Sequence, residues 1–345
     1  MNFADILHLI KAYLYRQVGE KDFDKTGDYM EKVRENKLYL NDTIYSRILN
    51  TKTVKNNLSY LLETTTETYT RKSELLKFDN EFNSLINNPY AGKDDSIHTK
   101  EVKGMIMKGI GFMKVSSDPF HDMGHIMRCL RYAKVLFGVH KEEYKLDWGT
   151  LVLAVVWHDV SRSIIDTWLY DRRNINMLGK IPFLLDFFII KDGLRDSKKS
   201  AILFRNMCVE NDIDEKIIAK VMGAISEDVE YGLIHKDKIK DDIYFKLHSD
   251  IDFIDMYSIA RFESGMRNVM ENNKASVKFF QRSILIASLL VKINRDALNF
   301  EESKHIYDFS VYNLYKFGQV FYPEDTKKLF KPYVEGYLSS VLRSV

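Results

Sequence analysis

Apolar residues recur at three- and four-residue spacing along most of the chain, which is the period of one helical face and not the alternation of a strand. The pattern predicts helices near residues 3–17, 100–113, 120–138, 145–159, 197–208, 214–228, 241–268, 275–298, 302–317 and 324–343, with shorter helices between 48 and 86. Between 145 and 159 the apolar residues Trp148, Leu151, Leu153, Val155, Val156 and Trp157 leave almost no polar side, the mark of a helix in the middle of a bundle. Few Gly clusters, five prolines in 345 residues and no strand hairpin complete an all-α expectation. The turn-rich, charged stretch 87–96 is the best candidate boundary. It separates an N-terminal helical region, 1–95, from a core over 96–272, and residues 273–345 are expected to add C-terminal helices packed on that core.

Composition narrows the class. Apolar content of 45% and charge of 29% suit a folded domain with a sizeable core. A net charge of +2 does not advertise nucleic-acid binding. The two cysteines, Cys129 and Cys208, sit in apolar periodic segments, so a disulfide framework is not expected and a reducing cytoplasm fits. The amphipathic N-terminus does not read as a signal peptide. The greasiest runs, 181–190 and 283–293, are short of the ~20 residues a membrane span needs. No membrane span is expected, and a homo-oligomer is compatible with the sequence.

Candidate chemistry is concentrated in three segments. In FHDMGHIMR, His121 and His125 are four apart and project from one helix face, so either could reach a metal. In AVVWHDVSR, His158 and Asp159 are adjacent and serve one ion only if the helix ends there, as the polar DVSRS that follows suggests. In LHSDIDFIDMYS, Asp252, or Asp250 two residues earlier, offers a carboxylate from a third helix. Two imidazoles and two carboxylates leave roughly two open positions in an octahedral site, which suits Mn, Fe, Co or Mg as the divalent ion better than a closed structural zinc. Such an ion generates hydroxide near neutral pH and polarises a phosphoryl oxygen.

Together these segments resemble the H…HD…D signature of the HD-domain metal-dependent phosphohydrolase superfamily, across roughly residues 105–270. The resemblance implies an HD-domain-like helical bundle with additional N- and C-terminal helices, and His125, His158, Asp159 and Asp252 as metal ligands. SDIDFIDMYSIAR resembles the corresponding segment of small bacterial HD hydrolases and places the last ligand on Asp252, with Asp250 as a neighbour. FHDMGH resembles the YHNxxH block of cyclic-nucleotide phosphodiesterases, which implies a proton-donor role for His121 beside a catalytic role for Asp159. Ser161 and Arg162 stand where those phosphodiesterases continue with a second-metal histidine. The stretch AISED offers Glu227 and Asp228 where many HD hydrolases carry another histidine, and no GYP tripeptide follows the HD pair.

The implied activity is that of a cytoplasmic phosphohydrolase, a phosphatase or phosphodiesterase, acting on a nucleotide or other small phosphate ester. Arg162 and Lys198, near the excursion after the HD pair, are candidates for the substrate phosphate. Glu227, Asp228 and Asp250 are candidates for supporting positions behind the ligands. Arg128 and His248 have an exterior ion pair and a satisfied interior histidine as their plainer readings. The rivals are an HD-fold di-iron oxygenase and a nucleotide-binding sensor with a non-catalytic pocket. No Walker loop, Rossmann glycine fingerprint or nucleophile elbow is present.

Overall fold

The computed structural model describes residues 82–114, 121–164, 197–226, 242–258, 261 and 290–321. These residues are 80% helical and contain no strand, as the all-α expectation required. A 3-10 turn at Ser96–His98 leads into α1 (Lys100–Met113), α2 (Met123–Tyr144), α3 (Trp148–Trp157) and the short α4 (Val160–Ile164). Residues 197–209 are helical, followed by α5 (Glu215–Ser226), α6 (Ile243–Met256) and α7 (Glu301–Phe321). The expected helices at 3–17 and 324–343, and the apolar run 181–190, lie outside the described residues.

Local chemistry explains where the helices begin. Thr99, Asp122, Asp147 and Asp242 are N-caps whose side chains accept first-turn N–H groups that have no partner inside the helix. Asp147 also accepts the backbone N–H and hydroxyl of Ser96, so one carboxylate starts α3 and clamps the turn before α1. Because Ser96 and Ile97 press on α3, position 149 has no room for a side chain. A Cβ on Gly149 would lie 2.2 Å from Ser96 Oγ and 2.5 Å from Ile97 N.

α3 is the hub, buried at every residue and packed against α1, α2, α5 and α6. Each fully buried Leu or Val is worth ~1.5–3 kcal/mol relative to exposure, so the helix carrying Leu151, Val152, Leu153, Val155 and Val156 is among the least able to shift. Whatever its C-terminal end presents is held on a rigid support. The core also takes in residues before the expected boundary at 95: Phe82 and Leu85 are buried, and the Trp148 indole donates to Ile86 O. α7 docks on α6. Among the described residues no helix is long and apolar enough to cross a membrane.

Candidate metal centre

Three chain segments far apart in sequence bring their polar residues to one point beside the hub. Asp122 caps α2 and thereby sets His125 in the first helical turn, its N–H donating 3.0 Å to Asp122 Oδ1. α3 stops at Trp157, His158 caps it, and α4 restarts at Val160. The break lets adjacent His158 and Asp159 face the same way, as the polar DVSRS segment implied. Asp252 comes from the middle of α6.

The approach is close. His125 Nε2 lies 3.0 Å from His158 Nε2, 3.4 Å from Asp159 Oδ2 and 3.5 Å from Asp252 Oδ1, and His158 Nε2 is 3.1 Å from Asp159 Oδ2. Ligand atoms ~2.1 Å from a first-row divalent ion stand about 3.0 Å apart on an octahedron and about 3.4 Å apart on a tetrahedron, so these separations match the edges of a coordination polyhedron.

Hydrogen bonding supports the same reading. His125 Nδ1 donates 2.7 Å to the Asp255 carboxylate, and His158 Nδ1 donates 2.7 Å to Val155 O. Those partners put the proton of each neutral ring on Nδ1 and leave both Nε2 lone pairs facing each other across the gap. Asp159 Oδ2 and Asp252 Oδ1, the oxygens nearest those nitrogens, are buried without a hydrogen-bond partner among the described residues. With both rings neutral, four buried acceptor atoms converge with no donor between them; a proton on His158 relieves only part of that crowding, whereas a metal ion satisfies all four.

The electrostatics also call for positive charge. Burial opposes protonation of His158, but the carboxylate of Asp159, helped by Asp252, lifts it to about 9. Burial works against the ionised form of Asp159, which His158 and His121 nonetheless hold well below the usual carboxylate range. Asp252 is lowered against its burial by His125, His158 and Arg261. Behind His125, Asp255 is fully buried and held low by Arg128, which grips it through Nε at 2.6 Å and Nη2 at 3.1 Å. Ser258 Oγ adds a third donor at 3.0 Å.

All four expected ligands therefore meet, and His121 stands beside them with its ring 5.6 Å from that of His125. Its Nε2 accepts 2.8 Å from Arg261 Nη2, so that nitrogen carries no proton while the bond holds. Asp250 is a correction. It faces away from the ligands and caps the entry to α7, accepting from the N–H groups of Asn299 and Phe300 and from Asn299 Nδ2. Two residues along a helix are about 200° apart, so Asp250 and Asp252 cannot serve one centre. Arg162 donates through Nε to Asp159 Oδ1 at 3.1 Å. Lys198 is exposed on the 197–209 helix. Glu227 and Asp228 lie outside the described residues.

Asp255, Arg261 and the depth of Arg128 were not anticipated from the sequence. Helical spacing carried part of the signal: His248, Asp252 and Asp255 share one face of α6 at intervals of four and three, as do His125, Arg128 and Cys129 on α2. His248 is buried with its ring 4.8 Å from that of His158, and burial together with that neighbour pushes it down to about 3. His125, Cys129 and Asp255 form a second close group. Asp255 is already committed there to Arg128 and His125, and burial pushes the Cys129 thiol well up. No family model matches the chain, and no curated protein or solved structure matches it either.

Proposed function

We propose that the protein is a divalent-metal-dependent phosphohydrolase of HD-domain type, acting on a nucleotide or another small phosphate ester. The observation that carries the proposal is the convergence of two Nδ1-anchored imidazoles with the partnerless oxygens of Asp159 and Asp252. His125, His158, Asp159 and Asp252 would hold Mn, Fe, Co or Mg. When bound, such an ion lowers the pKa of water towards neutrality and polarises a phosphoryl oxygen.

The protein's own groups have distinct work in this reading. Asp255 and the Val155 carbonyl fix the rotation and tautomer of the two imidazoles, and Arg162 fixes Asp159. Asp159 presents Oδ2 to the centre, where a carboxylate can orient an attacking water. His121 lies at the edge; once Arg261 releases its Nε2, that nitrogen can take a proton from solvent water and pass it to the leaving oxygen.

The test is a metal analysis followed by a phosphatase and phosphodiesterase panel, comparing wild type with Asp159→Ala and His158→Ala. Activity that disappears on chelation, returns with Mn²⁺ and is absent from both variants is expected. Full activity in Asp159→Ala would refute the mechanism. Oxygen consumption by an iron-loaded protein, or tight nucleotide binding without turnover, would replace it with an oxygenase or a sensor.

A further inference from the structure

One cation at the centre borders the ligand group yet keeps a donor without a hydrogen bond. Arg128 spends Nε and Nη2 on Asp255, and Arg162 spends Nε on Asp159. Arg261 is different. Its Nη2 donates to His121, while Nη1 is buried and makes no hydrogen bond among the described residues. Nη1 lies 3.8 Å from Asp252 Oδ1 and 3.7 Å from Asp255 Oδ2, so it borders the ligand group. The backbone N–H of Arg261 donates 3.2 Å to Ser258 Oγ, and Ser258 in turn donates to Asp255, so the residue is anchored to the structure that orients His125.

Charge and exposure point to what Nη1 would take. Asp159, Asp252 and Asp255 contact His125, and the guanidinium groups of Arg162, Arg261 and Arg128 contact those three carboxylates. The set is balanced before any divalent ion is added, and with one it carries two positive charges, complementary to a phosphate dianion. Asp255 does not need Arg261, because Arg128 already grips it with two nitrogens. The side chain of Asp252 is 21% exposed, against 9% for Asp159, 7% for His158 and 0% for His125. Among the described ligands, the side of Asp252, where Arg261 and His121 lie, is therefore the more open one.

Resting on the phosphohydrolase reading, we propose that Arg261 is the anion-binding residue of the centre. Its Nη1 takes a non-bridging oxygen of the substrate's phosphoryl group, and the guanidinium turns from His121 towards that oxygen as substrate enters. An arginine suits this work because its fork presents two parallel N–H donors to a phosphate.

Inorganic phosphate is the probe, titrated calorimetrically into full-length protein loaded with Mn²⁺. Arg261→Gln should weaken phosphate binding about ten- to a hundred-fold, the loss expected for a hydrogen bond to a charged group. Mn²⁺ affinity should stay near that of wild type, and Lys103→Gln, at an exposed position of α1, should leave phosphate affinity unchanged. If Arg261→Gln does not fold, Arg261→Lys keeps the charge beside Asp252 and loses the fork. Phosphate affinity at least several-fold below wild type, with Mn²⁺ binding intact, then supports the proposal.

Equal phosphate binding by wild type and the folded variant, or none by wild type, overturns it. The readout does not require turnover. Wild-type protein that binds phosphate through Arg261 but hydrolyses nothing defeats the hydrolase reading and keeps Arg261. Wild-type protein that hydrolyses phosphate esters while Arg261→Gln binds phosphate undiminished does the reverse.

Discussion

Replacing Asp255 by Asn tests how the centre is built, because it keeps the side chain's volume and removes one negative charge. Asp255 is fully buried, the Arg128 side chain is 4% exposed, and their contacts are 2.6 and 3.1 Å. Charge centres about 4 Å apart attract by ~4 kcal/mol at an effective dielectric near 20. Breaking a buried pair by removing one partner typically costs about 3–5 kcal/mol, because the survivor stays buried and uncompensated. The Asn amide would also turn a donor towards Arg128, which cannot accept it, or towards His125, which accepts it only by moving its own proton to Nε2. Against a total stability of about 5–15 kcal/mol, the expected loss is a large share of the fold's margin.

Urea denaturation of the metal-free protein measures that loss as a fall in midpoint at constant slope. The same variant should bind Mn²⁺ about ten- to a hundred-fold more weakly, since His125 loses its charged anchor. Arg128→Met combined with Asp255→Asn should recover much of the stability without the metal affinity, because the stranded charge is gone and the histidine is still unsupported. A control, Glu301→Gln, removes an exposed ion pair with Lys304 and should cost under about 1 kcal/mol. Asp255→Asn with wild-type stability and wild-type Mn²⁺ affinity would refute this account of the centre.

Asp250→Ala should lower stability by about 1–3 kcal/mol by stripping the acceptor from the N–H groups at the start of α7, while metal content stays unchanged. Asp252→Ala should do the opposite, and metal loss from the Asp250 variant would show that the two roles are misassigned. Gly104 and Gly111 lie on the exposed side of α1 with nothing within 4 Å of an added Cβ, so each Gly→Ala change should stabilise by about 0.5–1 kcal/mol. Gly149→Ala should destabilise by about 1–3 kcal/mol, because its Cβ would strike the backbone of Ile97; thermal melts separate the signs. His140 and His305 are each held below the ordinary imidazole value by burial, with Glu302 pulling the other way on both and Glu143 also on His140. Such a histidine stays neutral when folded at a pH that charges it when unfolded, so its contribution is full above about 6.5 and is lost progressively as pH falls from there through the lower folded value. His140→Gln should therefore lose less urea midpoint than wild type between pH 7.5 and 5.5, since His158 and His248 act alike in both proteins; an equal change in the two removes His140 from the explanation.

Much of the helical layout was legible because its causes are local. The predicted helix at 100–113 and the observed α1 coincide, and the all-apolar run containing Trp148 to Trp157 became the buried hub. Elsewhere the boundaries moved where caps lay: α2 starts at Met123, not near 120, because Asp122 takes the first-turn N–H. The choice among acidic residues on α6 was only half legible. Spacing separates Asp250 from Asp252, but nothing in the spacing says that Asn299 and Phe300 are waiting for Asp250.

The sequence by itself determined that the chain is helical, that α3 is central, and that His125, His158, Asp159 and Asp252 are candidates for one centre. The helices and the hub follow from the 3.6-residue period and capping chemistry, readable within a few residues, whereas the set of four follows from ligand type together with the resemblance to the H…HD…D signature. Only the tertiary structure decided which atoms face the centre and what stands behind them. The Asp255 carboxylate reaches His125 across 130 positions and Arg128 across 127, and Arg261 reaches His121 across 140. Contacts of that range depend on how buried helices cross and on where charge can be compensated away from water, which no local pattern encodes.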